Sequence, residues 1–208
     1  MTILQALLAF TVAAGLLTLT PGLDTALILR TAAVEGPKRA VLAMVGILAG
    51  CVAWGGLVAL GLGAVLQASA IAFNILKWAG AAYLVWLGIG LILRPRDNFD
   101  VDDAPAMKGS DTAWMRRGFL SNMLNPKMGV FYVSFLPQFL PQGVSAAPFM
   151  LLLTIIHVLL GVVWLGLLIA ATRPIAAALK RPAVVRWLDR ATGAVFLGFG
   201  VKLALERR

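Results

Sequence analysis

The chain has 208 residues, of which 61% are hydrophobic and only 13% are charged, and this leaves too little polar surface for a soluble domain. Its net charge of +9 does not indicate nucleic-acid binding, because no basic run is interleaved with aromatic side chains that could stack on bases. The chain has one cysteine, Cys51, and one histidine, His157, which excludes an internal disulfide and a Cys/His metal cluster, and we expect no cofactor. The apolar composition predicts a lipid bilayer as the environment.

The apolar sequence divides into six segments that are long enough to cross a bilayer. The first is interrupted at Thr20-Pro21-Gly22, and the fourth is interrupted at Asn125-Pro126-Lys127. A hydrophilic stretch over residues 94–115 separates the third segment from the fourth, and a basic loop over residues 173–186 leads to the sixth. The predicted spans cover residues 3–29, 40–66, 71–93, 118–140, 148–172 and 184–205.

This pattern predicts an all-α membrane protein with a single transmembrane domain over residues 1–208, built from two similar halves. Repeat 1 covers residues 1–93, a cytoplasmic linker covers 94–115, and repeat 2 covers 116–208. Each half has a proline break in its first span and a Leu-Gly-x-Gly run in its third, beginning at Leu87 and Leu197. Because three spans per half invert the second half, we predict two inverted three-helix repeats, an architecture typical of transporters.

Lysine and arginine set the predicted orientation. They collect in the segments that follow the first, third and fifth spans. The positive-inside rule makes that side cytoplasmic. With an even number of spans, both termini are then expected on the opposite side of the membrane.

A charged side chain accompanies each proline break, Asp24 after the first and Lys127 within the second. At ~1.5 Å per residue from the basic boundaries, both breaks fall near the middle of a ~30 Å core. A charge at that depth costs at least ~2.5–3.5 kcal/mol, so such residues are usually paired or line a watery cavity. A zwitterionic amino acid could place its ammonium on Asp24 and its carboxylate on Lys127; a purely structural ion pair is the alternative.

Other polar residues in the spans are weaker candidates for a ligand site. Asn122 and Asn125 could either satisfy backbone groups freed by the second break or contact a ligand. Tyr83 could face the cavity or form an interhelical hydrogen bond. We interpret His157 as a hydrogen-bonded packing residue rather than a proton relay. Asp24 is the hypothesised proton-coupling carboxylate.

Several motifs occur in order along almost the whole chain. Residues 20–24 read Thr-Pro-Gly-Leu-Asp, and residues 118–127 read Gly-Phe-Leu-Ser-Asn-Met-Leu-Asn-Pro-Lys. Further runs are Gly-Pro-Lys-Arg-Ala at 36–40, Lys-Trp-Ala-Gly-Ala-Ala-Tyr-Leu at 77–84 and Phe-Leu-Pro-Gln-Phe at 135–139. Together they resemble the lysine exporter and homoserine/threonine exporter (LysE/RhtB) superfamily. Leu23 departs from the family pattern, which has a second proline there, so the geometry of the first break could differ.

The resemblance implies a six-span secondary transporter of the bacterial inner membrane that exports amino acids or derivatives using the proton motive force. In that membrane, the lysine and arginine pattern predicts both termini in the periplasm. The resemblance also implies that the substrate lies between the two helix breaks. Homo-oligomer formation is left open. The conduit residues carried over from the family motifs are Pro21, Gly22, Asp24, Asn125, Pro126 and Lys127.

Two other classes of protein are alternatives to the exporter. A membrane scaffold or assembly factor, in which Asp24 and Lys127 are purely structural, is the main alternative. An intramembrane enzyme is disfavoured, because the chain has one histidine, one cysteine and no His-Glu-x-x-His run. The sequence also has no ATP-binding motif, which disfavours a primary pump.

Overall fold

A computed structural model describes residues 1–68, 70–95, 110–179 and 181–205 of the chain. Every regular element in these ranges is helical, which confirms the all-α prediction. A π-helical turn (Phe131–Phe135) and a 3₁₀ turn (Leu136–Phe139) follow α6. The α-helices are α1 (Ile3–Leu19), α2 (Leu23–Val34), α3 (Pro37–Ala68), α4 (Ala70–Leu93), α5 (Asp111–Met123), α6 (Pro126–Val130), α7 (Ala146–Ala170), α8 (Thr172–Leu179) and α9 (Pro182–Leu205).

Two of these helices have membrane-crossing length and composition on their own. Helices α3 and α7 each contain a 25-residue segment of this kind. Helices α1 and α2 qualify jointly, with a bend of 52° between them. Length and composition therefore identify two to three crossing units within the described residues, and the six-span repeat arrangement stays a prediction.

Both interruptions that the prolines predict are present. Helix α1 ends at Leu19 and α2 begins at Leu23, because Pro21 has no N–H to donate to the carbonyl of Leu17 one turn earlier. The second break separates α5 from α6. There Asn125 caps α6, since its Oδ1 accepts from the Lys127 backbone N–H at 3.0 Å. Pro126 follows in the first turn, where its missing N–H has no helical partner to lose.

Two predicted loop boundaries are wrong. The predicted basic loop over 173–186 contains most of α8 and the start of α9. Pro174 does not prevent α8, because it lies in the first turn, where a helix needs no donor from it. The predicted linker over 94–115 overlaps α5, which begins at Asp111, a residue type favoured by the helix dipole in a first turn. Residues 96–109 of that linker lie outside the described residues.

Helix α3 packs closely along α5, and the two run parallel. Lys38 forms an ion pair with Asp111 near the start of both helices. A Cβ at Gly46 would overlap the carbonyl oxygen of Met115, and one at Gly50 would approach Asn122 Oδ1 to 2.7 Å. Contact positions increase in residue number along both helices, which shows that the helices are parallel. Because Gly50 has no side chain, Asn122 lies close to the backbone of α3.

The other two large helix pairs run antiparallel. On α3 and α7, Leu48 lies against Gly161 and Gly55 against Thr154, so the contacts advance in opposite directions. On α4 and α9, Gly88 lies against the carbonyl oxygen of Gly193, and Gly200 lies against that of Ala81. Small residues therefore set the backbone separation at each of these interfaces.

We expect Gly118→Ala to destabilise the protein, because the new Cβ would overlap the carbonyl oxygen of Ala43 on α3. Overpacking of this kind typically costs about 1–3 kcal/mol. Gly56→Ala is the matched control, since nothing lies within 4 Å of a Cβ there. Thermal unfolding in detergent, followed by tryptophan fluorescence, should show a lower midpoint for Gly118→Ala only. Equal midpoints would contradict the close approach of α3 and α5.

Candidate functional site

A cavity lies where the two helix breaks meet. Its volume is about 50 Å³, which is room for a few water molecules or a small polar group. The breaks and the facing helices α3 and α7 contribute its walls. The lining residues are Leu17, Thr18, Thr20, Gly22, Asp24, Thr25, Ile47, Leu48, Cys51, Asn122, Asn125, Lys127, Met128, His157, Gly161, Trp164 and Leu165.

Asp24 lies in the first turn of α2, directly after the first break. Its Oδ2 accepts a hydrogen bond from Asn122 Nδ2 at 2.8 Å, and its Oδ1 accepts from Ser121 Oγ at 3.1 Å. Both donors lie on α5, so the carboxylate connects the two broken segments. The helix dipole of α2 also favours a negative charge at this end.

Lys127 lies in α6 and reaches across to the first break. Its Nζ donates to the carbonyl oxygens of Leu17 at 3.0 Å and Thr20 at 2.8 Å. The Leu17 carbonyl is the one whose helical donor is removed by Pro21. The ammonium of one break therefore satisfies backbone groups that the other break leaves open, in a setting where unpaired carbonyls are costly.

The first break is also connected to α9. The hydroxyls of Thr20 and Thr192 form a hydrogen bond, and both residues are buried. Asp189, one turn earlier on α9, is fully buried as well. Helix α9 thus contributes a buried polar contact to the first break through Thr192.

Two buried polar atoms at the cavity have no hydrogen-bond partner among the described residues. They are Asn122 Oδ1, an acceptor, and Trp164 Nε1, a donor. A buried polar group without a partner costs about 1–3 kcal/mol, and such groups are usually completed by water or a ligand. Both atoms belong to residues that line the cavity, where water or a polar ligand would supply the missing partner.

The structure brings together most of the residues that the sequence singles out. Gly22, Asp24, Asn122, Asn125 and Lys127 line this one cavity. Pro21 and Pro126 lie at the two breaks that form it. The side chain of Tyr83 lies outside the described residues.

Sequence reasoning missed the contribution of α7 to the cavity. His157, Gly161 and Trp164 follow one another at helical spacing and all line it. His157 was interpreted as a packing residue, although a lone imidazole in the middle of an apolar span is a recognisable signal. Cys51 on α3 also lines the cavity, where it lies within 3.5 Å of Asn122 Nδ2.

The arrangement can bind a molecule that carries both charges. A carboxylate and an ammonium face the same small volume from two different helix breaks, and amide groups lie beside both. The remaining wall is largely apolar, formed by Ile47, Leu48 and Leu165.

Comparison with known proteins gives a consistent result over nearly the whole chain. A family model described as LysE type translocator matches residues 15–207. An uncharacterised membrane protein of Bacillus subtilis (strain 168) is 30% identical over 98% of this chain and 100% of its own length. No solved structure matches the chain significantly.

Two further relatives have names that state a substrate. A homoserine/homoserine lactone efflux protein of Salmonella typhimurium (strain LT2) is 36% identical over 96% of both chains. A leucine efflux protein of Klebsiella pneumoniae is 30% identical over 95% of this chain and 93% of its own.

Proposed function

The chain belongs to the LysE type translocator family, whose members are multi-pass membrane transporters and not enzymes, and on that premise we propose that it exports an amino acid or a close derivative. The charged ammonium and carboxylate groups of the substrate are held in the cavity between the breaks at Pro21 and Pro126. The observation that carries the proposal is that Asp24 and Lys127, which belong to different breaks, line the same cavity. The substrate ammonium binds at Asp24 and its carboxylate binds at Lys127.

The cavity walls favour a neutral substrate. Among its lining residues Asp24 is the one carboxylate, and the α-ammonium of the substrate occupies it. A lysine-like side chain would then enter an apolar wall of Ile47, Leu48 and Leu165 without an acidic partner, at a high desolvation cost. Relatives named for export of homoserine, leucine and threonine are in keeping with a neutral substrate.

Export is driven by the proton gradient, with Asp24 as the coupling carboxylate. Asp24 is held by Ser121 and Asn122 at the edge of the cavity, so the same oxygens can bind either a proton or the substrate ammonium. Exclusive occupancy of one group by proton or substrate is sufficient to couple their movements in opposite directions.

The chain crosses the bacterial inner membrane six times, as two inverted repeats, with both termini in the periplasm. The helix directions support this topology, because α3 runs parallel to α5 but antiparallel to α7, and α4 runs antiparallel to α9. Helices α3, α4, α5, α7 and α9 belong to predicted spans two, three, four, five and six. Successive spans cross in alternating directions, so spans two and four should be parallel, while spans two and five, and spans three and six, should be antiparallel. The Lys38–Asp111 ion pair supports a common side for the first and third connecting segments.

One observation favours the scaffold alternative. The hydrogen bonds from Lys127 to the Leu17 and Thr20 carbonyls are contacts that a purely structural lysine would make. In that case the two breaks would be joined permanently, and the cavity would hold only water.

Transport by purified protein in liposomes tests the proposal. Vesicles loaded with unlabelled L-leucine, L-threonine or L-homoserine are diluted into the same labelled amino acid, and we expect labelled exchange for at least one of them. L-Lysine is the matched probe, for which exchange should be at least tenfold slower. Exchange of none of the neutral amino acids, in protein that remains folded, would favour the scaffold. Faster exchange of lysine would contradict the neutral substrate.

A further inference from the structure

We propose that His157 is a further substrate-binding residue, a neutral imidazole whose Nε2–H donates a hydrogen bond to the substrate carboxylate beside Lys127. The inference rests on the proposed function for the identity of the ligand. It begins from the position of His157 near the middle of α7, where it is buried and lines the cavity together with Gly161 and Trp164.

Tyr132 holds the imidazole in place. The Tyr132 hydroxyl and His157 Nδ1 are 2.9 Å apart, and Tyr132 is fully buried. The ring of Phe131 packs on the imidazole with centroids 4.9 Å apart. Both aromatic residues belong to the π-helical turn that follows α6, a distortion that is frequent at functional sites. The same short segment of chain therefore positions Lys127 and His157.

A series of buried polar contacts connects Asp24 to the imidazole of His157. Asn122 Nδ2 donates to the Asp24 carboxylate, and the same nitrogen lies 3.5 Å from Cys51 Sγ, so the sulfur acts as an acceptor. The Cys51 thiol is also within hydrogen-bonding reach of the Tyr132 hydroxyl.

One order of donors gives every side-chain hydrogen of these contacts an acceptor within the same network, and the proposed role of His157 requires that order. The Cys51 thiol donates to the Tyr132 oxygen, and the Tyr132 hydroxyl donates to His157 Nδ1, which leaves the imidazole proton on Nε2. The reverse order would make the sulfur accept twice and leave its own hydrogen without an acceptor. In this order the network begins at Asp24 and ends at the Nε2–H of His157, on α7, which lines the same cavity.

A donor at this position suits a carboxylate. The hydrogen bonds described for His157 use Nδ1, so Nε2 is available to the cavity that Lys127 also lines. A neutral imidazole adds a directional hydrogen bond without a second buried cation beside the ammonium. The substrate carboxylate can then take one oxygen to Lys127 and the other to His157.

Because His157 is the chain's one histidine, nuclear magnetic resonance of protein labelled with ¹⁵N-histidine and purified without a histidine tag reports this ring alone. We expect Nε2 to be protonated and Nδ1 unprotonated at neutral pH. Tyr132→Phe should give a mixture of the two tautomers. Adding L-leucine, L-threonine or L-homoserine should shift the Nε2 resonance for the amino acid that is exchanged. A proton on Nδ1, or no shift with an exchanged amino acid, would overturn the inference.

A pair of substitutions tests the contact in transport. His157→Gln places an amide N–H near the position of Nε2, whereas His157→Asn keeps a group near Nδ1 and removes the cavity donor. We expect His157→Asn to raise KM by at least about tenfold, because losing a hydrogen bond to a charged group weakens binding by about that factor. His157→Gln should raise KM less. Thr154→Val is the control, since its buried hydroxyl bonds within α7 to Met150.

The outcomes separate this inference from the proposed function. Equal KM values for His157→Asn and His157→Gln would overturn the role of His157, while exchange by the wild-type protein would keep the exporter. Failure of the wild-type protein to exchange any of the three amino acids would overturn the exporter, and with it the carboxylate contact. If the proton were still found on Nε2 in that case, the result would support only the hydrogen-bond network from Cys51 to His157 and not a substrate contact.

Discussion

Asp24→Asn is expected to abolish export driven by a pH gradient while leaving the fold intact. Asparagine has nearly the same shape as aspartate, its amide oxygen can accept from Asn122 Nδ2, and its amide nitrogen can donate to Ser121 Oγ. The substitution therefore removes the charge and the exchangeable proton but few contacts. Loss of a charged partner for the substrate ammonium should also weaken binding by about tenfold or more.

The measurement is export from liposomes with and without an imposed pH gradient, beside exchange without a gradient. Asp111→Asn is the matched control, because Asp111 is exposed and pairs with Lys38 at the surface, where such pairs contribute at most about 1 kcal/mol. Export that still responds to the gradient in Asp24→Asn would remove Asp24 from the coupling role. Loss of coupling with normal substrate affinity would instead restrict Asp24 to the proton.

The position of the site was predictable because proline acts locally. Pro21 and Pro126 each remove a backbone donor wherever the rest of the chain lies, so the breaks could be read from the sequence alone. The depth of Asp24 and Lys127 in the membrane rests on helical rise and stays a prediction. Both residues line the cavity that the breaks form.

The partners of these residues could not be read in the same way. Lys127 donates to carbonyls 110 and 107 residues earlier in the chain, and backbone carbonyls leave no trace in a sequence pattern. The contact of His157 with Tyr132 depends on a π-helical turn, which shifts the side chains by one position relative to an α-helix. The basic residues over 173–186 predict a loop, whereas the structure has α8 over the first half of that range.

Lys127→Met is expected to reduce both stability and export, for two separable reasons. It leaves the carbonyls of Leu17 and Thr20 without the ammonium that bonds them, and each unsatisfied carbonyl costs about 1–3 kcal/mol. It also removes the positive charge that we propose as the partner of the substrate carboxylate. Lys38→Met is the matched control, since Lys38 is exposed and pairs at the surface with Asp111, and it should change neither property.

The two roles of Lys127 separate when unfolding is measured with and without an amino acid that the wild-type protein exchanges. A ligand that binds only the folded state raises the unfolding temperature of a protein that binds it. If Lys127 binds substrate, Lys127→Met should lose this increase at a temperature where the variant is still folded. If Lys127 serves only to satisfy the broken helix, the variant should unfold earlier but retain the same increase, and folded protein should exchange at the wild-type rate. The second result would contradict a carboxylate site at Lys127, because a structural lysine changes how much protein is folded and not what the folded protein binds.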